Sequence, residues 1–157
     1  AAAAYVSLYS LSNTSGRVFW GAVSDRIGQI RAVIIIYSAI IFAFVLLVSV
    51  NQVWAFAVGI VTLGLCFGAV MGVFPGLVMD NFGPANQGVN YGIVFIGFSS
   101  AAFVAPKVTA SLAAANNGDF TNAFYVAIAV VLIGLGLSLV YAKRKADAVE
   151  AAVETIQ

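Results

Sequence analysis

The order of apolar and polar positions divides the chain into five long apolar stretches joined by short polar ones. Residues 32–50, 53–79 and 120–142 carry no charged side chain, 88–114 carries Lys107 alone, and 1–22 carries Arg17 alone. About 20 mostly apolar residues make a helix that crosses a bilayer, so the pattern predicts an all-α polytopic bundle of five transmembrane helices. Between the stretches lie Ser24-Asp25-Arg26-Ile27-Gly28, Asn51-Gln52, Asn81-Phe82-Gly83-Pro84-Ala85-Asn86 and Asn116-Asn117-Gly118-Asp119, all rich in turn formers. Asp119, just ahead of the fifth stretch, is expected to be a helix N-cap. Trp54 stands at one end of the third stretch, where an amphipathic ring anchors a helix at the interface, and the fifth ends at Tyr141 just before Lys143. The tail, 143–157, is expected to be a solvated, partly frayed end rather than one or two helical turns at the membrane surface.

Composition narrows the function. Of 157 residues, 62% are hydrophobic and 8% charged, against roughly 25% charged in a soluble domain. So few charges cannot cover a water-facing surface, which excludes a soluble enzyme, a nucleic-acid binder and a disordered protein. Lipid is the expected surrounding. The chain has no histidine and one cysteine, Cys66, inside an apolar run. Its acids are scattered, so no metal-ligand spacing, acid–base pair or nucleophile with a base is present. The expectation is no enzyme, no metal and no cofactor. The chain begins Ala1-Ala2-Ala3-Ala4-Tyr5, without the basic region and cleavage motif of a signal peptide. It reads as starting inside a helix, as a piece of a longer protein would.

Charge placement predicts orientation. Arg26 and Arg31 lie between the first two stretches, and Lys143, Arg144 and Lys145 follow the fifth, whereas 51–52 and 115–119 carry no Lys or Arg. By the positive-inside rule, the 23–31 loop, the 80–87 loop and the carboxy terminus are cytoplasmic. The expected location is a bacterial or archaeal plasma membrane.

Small residues mark helix-packing faces. Gly64, Gly68, Gly72 and Gly76 recur at every fourth position, as do Gly97, Ala101, Ala105, Thr109 and Ala113. Lipid offers no hydrophobic drive for association between helices, so close backbone approach has to hold them together. Pro75 beside Gly76 adds a place where the third helix can bend.

Two cations lie within the apolar stretches. Arg17 shares a helix face with Asn13 and Tyr9, at i−4 and i−8. An arginine at a span centre costs roughly 2.5–3.5 kcal/mol, so such a residue usually faces a polar cavity and marks a substrate path. Its planar fork of donors suits carboxylates. The competing reading has it snorkel to the headgroups, roughly 10–13 Å away by helix rise. Lys107 follows Pro106 toward the opposite membrane face. It reads either as a snorkelling lysine or as an outer-vestibule cation that attracts anions. No carboxylate lies deep in any stretch, so a proton relay within these five helices is not expected.

The segment Gly21-Ala22-Val23-Ser24-Asp25-Arg26-Ile27-Gly28-Gln29-Ile30-Arg31 resembles the signature loop of the major facilitator superfamily, with Gln29 where a basic residue is usual. With Asn13-Thr14-Ser15-Gly16-Arg17, Phe74-Pro75, Asp80-Asn81-Phe82-Gly83 and Asn90-Tyr91-Gly92, the whole chain resembles the carboxy-terminal half of the oxalate:formate antiporter and monocarboxylate transporter families. The resemblance implies helices eight to twelve of a twelve-helix carrier, whose other helices form the partner half. It implies that Arg17 binds substrate carboxylate and that Phe98 stands where oxalate-specific members carry a lysine. It therefore points to alternating-access transport of a monocarboxylate such as formate, lactate or pyruvate rather than of oxalate. For the signature loop it implies a gate, in which Asp25 faces a helix amino terminus of the partner half and Arg26 reaches Asp80; the competing reading of Asp25 and Arg26 is a plain solvated turn. A carrier of another solute, and a non-transporting membrane subunit, are the alternatives.

Overall fold

A computed structural model describes residues 2–50 and 52–154. These form five helices: α1 (Ala2–Ile27), α2 (Gln29–Ser49), α3 (Val53–Phe82), α4 (Gln87–Ala115) and α5 (Thr121–Glu154). The all-α architecture is as expected, with no strand among the described residues. Helices α2 to α5 are each long and apolar enough to cross a membrane. Helix α1 is also long, at 26 residues, but its serines, Asn13, Thr14 and Arg17 leave it without the apolar window of the other four. Its hydroxyls are satisfied within the helix. Ser7, Ser10, Ser12, Thr14 and Ser15 each donate to the carbonyl four residues back, at 2.8–3.1 Å. Such back-bonding spares the hydroxyls any partner outside the helix.

The turn formers end the helices by identifiable means. The α1–α2 corner is a single residue, Gly28, at φ 90° and ψ 144°. Helix α3 stops at Gly83, whose N–H bonds the Met79 carbonyl at 2.9 Å. At the end of α4, Asn117 takes a left-handed φ of 53° and the Gly118 N–H bonds the Ala113 carbonyl at 2.8 Å. This is the bonding of a Schellman-type helix end. Ahead of α5, Asp119 Oδ1 accepts from the Thr121 hydroxyl at 2.7 Å and the Thr121 N–H at 2.9 Å. The Thr121 hydroxyl and then its N–H hold the Asp119 carboxyl below the ordinary carboxylate range. Thr121 is the first helical residue, so Asp119 acts one position ahead of the N-cap expected for it. The tail also differs from expectation. Instead of fraying at 143, α5 continues to Glu154, through a run of the good helix formers Ala, Glu, Lys and Arg.

Helix α3 is the centre of the bundle. It packs on α1, α2 and α4, and α5 packs on α2 and α4. The core lies where α1, α2 and α3 meet: Trp20, Ala32, Val33, Ile36, Cys66, Ala69 and Val73 are all buried there. The Cys66 thiol is thus packing material, as its apolar setting in the sequence implies. In α4 only Ala113 among the described residues is buried, so the small-residue stripe from Gly97 lies largely open.

Candidate functional site

The site is built on the seam between α1 and α3. Glycines let the two backbones meet. A Cβ added to Gly64 would lie 2.9 Å from the Tyr9 carbonyl oxygen, one on Gly68 would lie 2.9 Å from the Arg17 nitrogen, and one on Gly72 would lie 2.6 Å from the Arg17 carbonyl oxygen. On the other side, Gly16 faces the Leu65 backbone, with its added Cβ 2.8 Å from the Leu65 Cα. The stripe in α3 therefore packs directly beneath Tyr9, Asn13 and Arg17.

The three residues expected to share a face occupy one turn-by-turn row on this seam. The Arg17 side chain is exposed, and Asn13 and Tyr9 are half-buried. No described carboxylate forms an ion pair with Arg17. The Asn13 Oδ1 atom is buried with no hydrogen-bond partner. Leaving such a group unpaired costs about 1–3 kcal/mol. An Asn amide offers both an acceptor and two N–H donors, set here one turn from a guanidinium.

Aromatic rings carry the site from α1 to α4. Tyr9 lies 6.4 Å from Phe67 on α3, Phe67 lies 6.0 Å from Phe98 on α4, Phe98 lies 5.4 Å from Phe95, and Phe95 lies 4.8 Å from Tyr91, centroid to centroid. Phe98 is thereby joined to Tyr9 through Phe67, a residue that sequence reasoning did not single out. Phe67 precedes Gly68 in the small-residue stripe. That adjacency is the signal that was available, since a ring next to a helix-contact glycine points along the edge of the contact. A cavity of about 250 Å³ lies beside these rings, lined in part by Tyr37, Phe74, Tyr91, Phe95 and Phe98. Another, of about 560 Å³, lies beside Tyr9, Tyr5 and Phe56.

Lys107 stands apart. It is nine residues beyond Phe98 on α4, roughly 13 Å by helix rise. Its ammonium sits 3.8 Å from the centroid of the Phe103 ring, one turn back. A cation over an aromatic face at an exposed site is worth about 0.5–1 kcal/mol, which gives Lys107 a local partner on its own helix.

The signature segment forms the α1–α2 corner. Gly21 lies along α1, and Ser24, buried, donates to the Gly21 carbonyl at 2.9 Å. Asp25, Arg26 and Arg31 are exposed around Gly28. Gln29 Nε2 points at Asp25 Oδ1 from 3.5 Å, and its Oε1 is buried without a partner. The Gln29 amide covers Gly76, the residue after Pro75. Asp80 is exposed near the end of α3, and among the described residues no ion pair joins it to Arg26. No cluster of three metal-ligating side chains occurs among the described residues.

Comparison with known proteins agrees with the helical pattern and the corner motif. The family model described as Major Facilitator Superfamily matches residues 1–156. A curated relative, "Uncharacterized MFS-type transporter YhjX" of Escherichia coli (strain K12), is 38% identical over 99 residues, 62% of this chain and 24% of its own length. The "Oxalate:formate antiporter" of Oxalobacter formigenes is 26% identical over 135 residues, 85% of this chain and 32% of its own length. The chain thus spans between a quarter and a third of these relatives. No solved structure matches it. A family match over nearly the whole chain, on a helical bundle of membrane-spanning length, makes this polypeptide a member of the Major Facilitator Superfamily of integral membrane transporters.

Proposed function

We propose that this chain is part of a secondary active carrier for small organic monoanions, such as formate, lactate or pyruvate, that works by alternating access. The observation that carries the reading is Arg17: a guanidinium on a helix-helix seam, without a carboxylate partner among the described residues, one turn from Asn13 on the same helix face. A carboxylate supplies what Arg17 lacks, since it accepts two parallel N–H bonds from an arginine, and the Asn13 amide N–H group is a further donor one turn away. Tyr9, two turns from Arg17 on α1, leads through Phe67 to Phe98 as a row of rings that suits the short hydrocarbon part of a monocarboxylate. The relative from Oxalobacter formigenes is named for oxalate and formate. One cation at the seam, with Lys107 held over Phe103, suits the monoanion of that pair better than the dianion.

In this reading the protein sits in a bacterial or archaeal plasma membrane. The α1–α2 corner and the carboxy terminus face the cytoplasm, where the basic residues gather. Asp25 meets a helix amino terminus of the partner half, a position that the helix dipole favours for an acid. Arg26 closes on Asp80 when the carrier opens outward. Rocking of the two halves about the midplane exposes the Arg17 site to each side in turn.

The test is uptake of labelled formate, lactate, pyruvate and oxalate into proteoliposomes holding the full-length protein, beside its Arg17→Gln variant. Hydrogen bonds to charged groups are worth about 1.5–3 kcal/mol, so the variant should lose roughly tenfold to a hundredfold in apparent affinity. Saturable monoanion uptake whose apparent affinity falls by that much in Arg17→Gln supports the reading. Equal uptake by the variant, or no anion uptake at all, overturns it, and uptake of oxalate alone reassigns the substrate.

A further inference from the structure

A slot lined by α2, α3, α4 and α5 is separate from the Arg17 seam. It measures about 550 Å³ and has hydrocarbon walls, among them Val33, Phe74, Leu77, Val78 and Leu137. Tyr37 and Ser138 also line it, and a connected polar group lies at one end. Asn81 Oδ1 accepts from the Tyr141 hydroxyl and from Lys145 Nζ at 3.5 Å, while Asn81 Nδ2 donates to the Leu77 carbonyl at 2.6 Å. On α5, Gly134, Ser138, Tyr141 and Lys145 follow one another at helical spacing, so the lysine ends the same face that lines the slot. Lys143 and Arg144 flank it, and Arg31 follows Ile30, another lining residue. None of these four cations forms an ion pair among the described residues.

We infer that this slot binds an anionic phospholipid of the surrounding bilayer, with an acyl chain along the α3–α5 walls and the phosphate at Lys145. Three physical points support one another. The walls are mostly hydrocarbon, with the Ser138 hydroxyl already bonded to the Gly134 carbonyl at 2.8 Å, so they suit an acyl chain. The amide oxygen that Lys145 now touches is neutral and long at 3.5 Å, which leaves an ammonium with three donors poorly used until an anion arrives. The run from Gly134 to Lys145 rises roughly 16 Å, about half of a 30 Å hydrocarbon core, so the slot has the depth of one leaflet. Basic pockets between transmembrane helices are a recurring means of holding lipid phosphates. The inference does not depend on which anion is transported.

The test is lipid retention by the full-length protein. The detergent-purified, delipidated protein is incubated with phosphatidylglycerol, with phosphatidylcholine of the same acyl chains, or with oleate, and bound lipid is counted by native mass spectrometry. A basic side chain near a membrane surface is worth about fivefold in attraction to anionic lipid. Wild type should therefore retain phosphatidylglycerol about fivefold over phosphatidylcholine. Lys145→Gln should remove that preference and Lys145→Arg should restore it, both being exposed changes that leave the helix intact. Ser138→Phe, which fills the slot, should lower retention of both lipids. Equal retention of the two phospholipids by wild type overturns the proposal, as does unchanged retention in Lys145→Gln and Ser138→Phe. Preferential retention of oleate overturns the phospholipid assignment. Loss of the lipid preference with anion uptake unaffected leaves the transport reading standing, so the two can fail separately.

Discussion

The carbonyl oxygen of Arg17 lies 2.6 Å from the point that a Cβ on Gly72 would occupy. The residue proposed to hold the substrate is thus set in place by a glycine on another helix. A methyl there meets backbone, which cannot swing aside as a side chain can. Gly72→Ala should part α1 from α3 and cost about 1–3 kcal/mol, the usual range for overpacking. Gly136 has nothing within 4 Å of its added Cβ, and Gly136→Ala should leave stability unchanged or slightly raised. Thermal unfolding of the two variants of the full-length protein in detergent checks this. Equal midpoints would show that the seam yields.

Gly83 ends α3 at φ 71° and ψ 174°, a region that is essentially closed to side-chain-bearing residues. Gly83→Ala should cost about 1–3 kcal/mol, although nothing lies within 4 Å of its added Cβ. The penalty is in the backbone, so it should be the same for Gly83→Ser. Unfolding midpoints of both variants test this, and a well-tolerated Gly83→Ala would mean that the corner relaxes to another turn.

How much of this could be read from the sequence depended on the range of the interaction. The five helices were legible because apolar runs and turn formers act locally. Asn117-Gly118 and Gly83 end helices where their types suggest. The Gly64–Gly72 stripe announced a contact face, although its partner became visible only in three dimensions. Tyr9, Asn13 and Arg17 were legible as one face from helical spacing alone. Phe67 was not, because its value comes from touching Tyr9 and Phe98 on two other helices. The Asn81–Tyr141–Lys145 group was missed for the same reason: its members are some 60 positions apart in the chain. The helical tail was misjudged despite good local signals, because the expectation of fraying near a terminus was given more weight than the Ala, Glu, Lys and Arg content of 143–154.

Gln29 occupies the position where the superfamily signature usually carries a base. Its Nε2 lies 3.5 Å from Asp25 Oδ1, at the edge of bonding, and its Oε1 is buried without a partner. A lysine would remove the orphaned acceptor and give Asp25 an ion-pair partner four residues on. Gln29→Lys should stabilise the corner by about 0.2–0.5 kcal/mol from that pair, with the gain shrinking in high salt. Unfolding midpoints at low and high salt measure it. A loss of stability at both would mean that the amide's packing over Gly76 matters more than its polar atoms.

Asp119 gives the chain a pH-dependent helix start. Its carboxyl is held below the ordinary value of 3.8 by the Thr121 hydroxyl and N–H. The folded state therefore binds the proton less readily than the unfolded one. Stabilisation is complete above the ordinary carboxylate value and is lost as pH falls through the depressed one. The group is exposed, so the effect is confined to the first turn of α5. Protection of the Thr121 amide against hydrogen exchange, corrected for intrinsic rate, should be constant near neutrality and decline in acid below the ordinary carboxylate value. In Asp119→Asn the amide oxygen still accepts from Thr121 but does not titrate in this range, so protection should persist in acid. A wild-type profile flat to low pH, or an Asp119→Asn profile that declines in the same way, would show that another group governs the start of α5.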